Sequence, residues 1–201
     1  MDTDLNSRIG RRVRQLREGL GLSLDALAER SGVSRSNISL IERGGSSPTA
    51  VVLDKLSGAL GATVASLFEP AESAIAAESS PLARVADQPV WQDPGSGYLR
   101  RNVSPPARSP IQLVDVVFPP GKRIAYDATP RDNETYQQVW MIDGAMELTV
   151  GRTTWRLETG DTLAMQLDQP LVYRNPTRSP ARYLVALVTL PWSPHARRSA
   201  S

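Results

Sequence analysis

The side chains best suited to chemistry are few, and their types exclude more than they offer. The chain of 201 residues has no cysteine and one histidine, His195. Without cysteine there are no disulfides, thiolate nucleophiles or cysteine-held zinc or iron–sulfur sites. One imidazole excludes a metal site within the chain that needs two or three. A Ser–His–Asp triad would have to take its histidine from the C-terminal run Pro194-His195-Ala196-Arg197-Arg198. Lysine occurs only at Lys55 and Lys122, so 21 of the 23 basic residues are arginine. A GC-rich coding sequence explains that bias plainly; arginine also suits bidentate contacts to phosphate and guanine.

The most suggestive local cluster is Ser34-Arg35-Ser36-Asn37-Ile38-Ser39-Leu40-Ile41-Glu42-Arg43-Gly44. Ile38 and Ile41 anchor it as a helix, leaving Arg35, Ser36, Asn37 and Ser39 near the N-terminal end, where major-groove readers place their base contacts. Arg35 can donate twice to a guanine edge, and the serines can bond a base or a phosphate. Ser34, Arg35, Ser36, Asn37 and Ser39 are the expected DNA-binding residues.

Helices must hold that cluster, and the sequence punctuates them clearly. Ile9, Val13, Leu16 and Leu20 lie on one helical face, ended by Gly19 and Gly21. Ser23 caps a second helix with Leu24, Leu27 and Ala28 inward, and Gly32 turns the chain into the third. Thr49 caps a fourth through Val52, Leu53, Leu56 and Leu60, and Thr63 starts a short fifth with Val64, Leu67 and Phe68 apolar. Two short helices joined by a glycine turn make a helix-turn-helix. Arg8, Arg11, Arg12, Arg14 and Arg17 crowd the first helix, either as a solvated face or as contacts to the DNA backbone.

Residues 8–69 resemble the phage-repressor-like (Xre/Cro-type) helix-turn-helix family. The matching stretches are Ile9–Arg17, Leu24–Ser34, Ile38–Gly44, Ser46–Thr49 and Leu56–Gly61. The resemblance implies a buried ion pair between Arg17 and Glu42, and phosphate contacts from Asn37, Arg43 and the nearby backbone. Many members carry glutamine at the second position of helix two; this chain has Leu24 there.

Proline marks a boundary. Residues 1–69 hold one proline, Pro48, and the remainder holds fifteen together with every tryptophan and tyrosine. The expected organisation is a five-helix all-α bundle over 1–69, a linker over 70–83, an all-β domain over 84–192 and a flexible tail over 193–201. Formal charge does not separate the halves, since each carries one more base than acid. No apolar run reaches the ~18 residues of a membrane span. The acidic start Met1-Asp2-Thr3-Asp4 lacks a signal-peptide core, so a cytoplasmic protein, nucleoid-associated when bound to DNA, is expected.

Strand-like runs follow at Ile111–Phe118, Tyr136–Ile142, Ala145–Val150, Thr153–Leu157, Thr162–Gln166, Leu171–Arg174 and Ala181–Leu190. Asp143-Gly144 is a strong hairpin signal. Close spacing of short strands predicts a sandwich or closed barrel. Gly121, Gly144, Gly160-Asp161 and Asn175-Pro176 resemble the bookends of the two cupin motifs, which implies a double-stranded β-helix barrel around a cavity. The cupin metal ligands are missing. One register puts Asp127 and Thr129 at the histidine positions and the other puts Arg131 and Asn133 there; Gln137 takes the glutamate position and Leu171 the last. Asp127, Asp132, Glu134 and Gln137 offer at most a hard-cation site, so no metal or other cofactor and no catalytic residue is expected.

A metal-free barrel of this kind can still enclose a small ligand. The expected effector pocket is Arg123, Tyr126, Gln137, Met165, Leu171 and Tyr173, with Val139, Met141 and Leu163 as wall or plain core and Arg123 pairing with an anion. These readings imply a regulator that binds a palindromic double-stranded DNA operator as a homodimer and senses a small-molecule effector. The alternative is a cupin enzyme of isomerase or epimerase type with an accessory DNA-binding head.

Overall fold

The computed structural model describes residues 3–68, 80–107, 109–128 and 133–191. Most of the expected linker, the tail with His195, and Thr129, Arg131 and Asp132 lie outside the described residues. The chain starts with four α-helices: α1 (Thr3–Gly19), α2 (Leu24–Ser31), α3 (Arg35–Glu42) and α4 (Ala50–Ala59). Side-chain oxygens cap three of them. Ser23 accepts from the amide of Ala26, Ser34 from that of Asn37 and Thr49 from that of Val52, each satisfying an amide left free by the first helical turn. Ile9, Val13, Leu27, Ile38, Ile41, Leu53 and Leu56 are fully buried between the helices.

Two expectations about this half are corrected. The fifth helix is a single 3-10 turn, Ala65–Phe68; Thr63 does cap it, but too few residues follow to sustain i to i+4 bonding. Leu20 is half exposed rather than inward, because α1 stops at Gly19 and the chain turns away.

The rest is β-structure: β1 (Val90–Gln92), β2 (Leu99–Asn102), β3 (Ile111–Phe118), β4 (Arg123–Tyr126), β5 (Asn133–Asp143), β6 (Ala145–Val150), β7 (Thr153–Glu158), β8 (Thr162–Gln166), β9 (Leu171–Arg174) and β10 (Ala181–Pro191). A six-stranded sheet runs β1-β2-β3-β10-β5-β8 and a four-stranded sheet runs β4-β9-β6-β7. Neighbouring strands pair antiparallel, for example with Val139 opposite Val185 and Leu148 opposite Tyr173. Along β5, Thr135, Gln137, Val139 and Met141 point inward while Tyr136, Gln138 and Trp140 point out, the period of two that a one-sided strand requires. The expected closed barrel is corrected to an open pair of sheets, since no strand pairing joins their edges among the described residues.

The two segments pack on each other. Trp91 of β1 meets Phe68 edge-on at 5.9 Å between ring centroids and Tyr98 at 5.7 Å, and Tyr98 stacks on Phe118. Asp93, 3% exposed, accepts from the amide of Ala50 at 2.8 Å at the start of α4. The Thr63 hydroxyl donates to Gln112 at 2.7 Å, and the Asn102 amide donates to the Ala65 carbonyl at 3.2 Å.

Candidate nucleic-acid interface and interdomain cavity

α3 is fixed from behind and open in front. Arg17 of α1 reaches Glu42 with its Nε at 2.7 Å and its second terminal nitrogen at 2.9 Å, and donates to the Leu22 carbonyl. Both side chains of the pair are largely buried, at 11% and 7% exposure. This is the ion pair that the family resemblance implies. The two backbones touch where it forms. A Cβ on Gly10 would sit 2.2 Å from the Ile41 carbonyl oxygen, so only glycine lets α1 come this close.

The expected DNA-binding residues lie on and beside α3. Ser34, Arg35, Ser36 and Arg43 are exposed, and Asn37 and Ser39 are half-buried. Arg43 donates to the Ser39 hydroxyl at 2.9 Å. Arg35 makes an ion pair with Asp25 of α2 at 3.1 Å, with both side chains mostly in solvent. Such a pair contributes little and breaks easily, so Arg35 is free to move to another acceptor. Leu24 is packed against the core, which accounts for an apolar residue at this position.

The arginine-rich face of α1 is used within the protein. Arg8 donates to the Phe68 carbonyl and Arg12 to the Ser66 carbonyl, both at 3.3 Å. These bonds tie α1 to the carbonyls of the 3-10 turn. Arg14 pairs with Glu18. Of the five arginines, Arg11 is exposed and makes no hydrogen bond or ion pair among the described residues.

A cavity of about 100 Å³ lies between the helical and β segments. Ala50, Asp54, Thr63, Val64 and Ala65 wall it on one side; Tyr98, Arg100, Phe118, Tyr126, Gln137, Leu171, Tyr173 and Tyr183 wall it on the other. Four of the expected pocket residues meet here: Tyr126, Gln137, Leu171 and Tyr173. Two do not, and their placement corrects the expectation. Arg123 is exposed, because it sits three residues before Tyr126 on β4 and alternation sends it to the opposite face. Met165 is buried outside the wall, its sulfur 3.9 Å from Gln137 Nε2.

Arg100 was missed by sequence reasoning. It lies on β2 in the polar run Leu99-Arg100-Arg101-Asn102, which gives no alternating apolar signal. The turn residues Asp93-Pro94-Gly95-Ser96 just upstream could have marked the hairpin that places it. Gln137 donates to the Tyr173 hydroxyl. Tyr173 stacks on Tyr183 and meets Tyr126 edge-on. Burial pushes the phenols of Tyr98, Tyr126, Tyr173 and Tyr183 above the usual tyrosine range; all four are neutral hydrogen-bonding groups at physiological pH.

The wall does not suit a cupin metal. Gln137, Tyr173 and Leu171 supply neutral or no donors, and the wall's carboxylates are Asp54 and Asp127, the latter 3.6 Å from Lys55 Nζ. Among the described residues, no group of three or more His, Cys, Asp or Glu is placed to hold a metal ion. Among them also, no helix is long and apolar enough to cross a membrane.

Comparison with known proteins agrees with this geometry. Residues 13–67 match the helix-turn-helix family model HTH_3. The HTH-type transcriptional regulator SutR of Escherichia coli (strain K12) is 28% identical over 165 residues, covering 81% of this chain and 84% of that protein. The HTH-type transcriptional regulator SinR of Bacillus subtilis (strain 168) is 40% identical over 62 residues, 30% of this chain and 56% of that one. The crystal structure of an HTH_3 family transcriptional regulator from Vibrio cholerae superposes with a TM-score of 0.73 at 23% identity, covering 94% of this chain and 98% of the other, so the fold is shared across both segments. The chain thus carries a helix-turn-helix domain of the HTH_3 type over residues 13–67, followed by a β-domain, and is similar along most of its length to transcriptional regulators.

Proposed function

We propose that this DNA-binding regulator reads a palindromic operator as a homodimer and answers to a small-molecule effector held by the cupin-like domain. The observation that carries the DNA reading is the exposed polar end of α3, held rigid by the Arg17–Glu42 pair. Arg35 and the neighbouring serines serve base edges, while Asn37 and Arg43 serve phosphates. Anisotropy with labelled duplex tests it. Affinity for the operator is expected to fall steeply with salt, as counterion release requires. Salt-independent binding contradicts this assignment.

The outer face of the six-stranded sheet supports the homodimer. Ile111, Tyr136 and Trp140 stand there at 52%, 37% and 49% exposure. Val188 of β10 lies between Ile111 and Tyr136 in register, and Leu184 lies beside Trp140. An exposed apolar patch on a sheet marks an interaction surface, and a two-fold axis makes one face complementary to itself. Such a dimer carries two reading helices that suit half-sites ~34 Å apart. Trp140→Glu is expected to yield a monomer in sedimentation, with weakened operator binding; an unchanged dimer assigns the contact elsewhere.

The reading is non-enzymatic. An isomerase or epimerase would need a general base within the cavity. The buried phenols are held neutral, and SutR and the Vibrio cholerae protein, similar to this chain along most of its length, are transcriptional regulators.

A further inference from the structure

We infer that the interdomain cavity is a binding site for a small carboxylate with an apolar body, gripped by Arg100 and in direct contact with the DNA-reading domain. The ligand chemistry follows from the wall. Arg100 Nε is buried and has no hydrogen-bond partner. Its guanidinium carbon lies 5.8 Å from the centre of the Phe68 ring, which holds it in place. A buried donor left unmade is costly, and a carboxylate offers two oxygens to the planar guanidinium fork. The phenols of Tyr98 and Tyr126 beside it stay protonated because of burial. Being neutral, they do not repel an anion. Leu171 and Tyr173 supply an apolar wall for the ligand body.

Size limits the body to a few heavy atoms. The cavity of about 100 Å³ is on the scale of the engineered ~150 Å³ cavity that admits benzene. Position gives the site its consequence. Ala50 and Asp54 of α4 form part of the wall, so an occupant touches both segments at once. A ligand that binds better when the segments are packed favours that packing, and operator binding and ligand binding then affect each other reciprocally. This last step rests on the regulator reading; the carboxylate site itself does not.

Calorimetry on the full chain tests it with butanoate and 3-methylbutanoate, the amide of each, and 3-methylbutylamine. At least one acid is expected to saturate at one per chain, with its amide at least tenfold weaker and the amine silent. Arg100→Met is expected to abolish the preference for acid over amide, and Arg123→Met, on the outer face, to retain it. If Arg100→Met does not fold, Arg100→Lys is expected to keep the preference with weaker binding. Failure of both acids to bind, equal binding of acid and amide, or an intact preference in Arg100→Met overturns the inference. Operator anisotropy on the same samples separates the two readings. An operator-binding chain that ignores both acids defeats the cavity site alone. Acid binding without any DNA sequence preference defeats the regulator reading alone.

Discussion

Arg17 and Glu42 show how one pair of side chains fixes the orientation of α3. Both are largely buried and joined by two hydrogen bonds. Removing either partner leaves a charge uncompensated, so Glu42→Ala is expected to cost about 3–5 kcal/mol in denaturant unfolding. Arg35 is the opposite case, since its pair with Asp25 is exposed. Arg35→Ala is expected to leave stability almost unchanged and to weaken operator binding by ~1–3 kcal/mol, with relaxed discrimination at one base pair. Unchanged discrimination removes Arg35 from the base readers. The tyrosines give a pH signature. Burial raises the phenol pKa of Tyr98, Tyr126, Tyr173 and Tyr183 above that of the unfolded chain. Their contribution is complete below the ordinary tyrosine pKa of ~10 and is lost as pH rises through the folded values, because only the unfolded state ionises early. Ultraviolet titration is expected to show phenolate appearing late and together with unfolding.

At the scale of elements, α1 and α3 are pressed together at a single glycine. Gly10→Ala places a methyl 2.2 Å from a backbone oxygen, which no rotamer change relieves. It is expected to cost about 3 kcal/mol or more in thermal unfolding and to weaken DNA binding with it. The helices and long strands were legible because caps and periodicity are local signals; β3, β6, β8 and β9 have the bounds that their apolar runs indicate. β1, β2 and β4 were not. They are three or four residues long, and β2 carries Arg100, Arg101 and Asn102, which no hydrophobic period reveals. Alternation along β4 decided that Tyr126 enters the cavity and Arg123 does not, yet β4 itself gave no signal to apply it to. Thr63 read as a helix cap, and a cap alone does not supply helix length.

For the whole molecule, the contacts between segments were the least legible feature, since they join residues far apart in sequence. Asp93 gathers the amides of Ala50 and Ser96 and the Ser96 hydroxyl at 2.7–2.8 Å. Asp93→Ala strands those donors and is expected to cost about 1–3 kcal/mol, with calorimetric unfolding splitting into separate helical and β transitions. A single unshifted transition contradicts the coupling. Limited proteolysis is expected to cut first within 70–83, between the two segments. The central claim is that the exposed end of α3 reads DNA sequence for a dimer. Binding-site selection from random duplex DNA, with the wild-type chain beside Arg35→Ala, tests it most directly. The expected result is one enriched palindrome with half-sites about one helical turn apart, and loss of selection at a symmetric base pair in the variant. Recovery of unenriched DNA by the wild-type chain would contradict it.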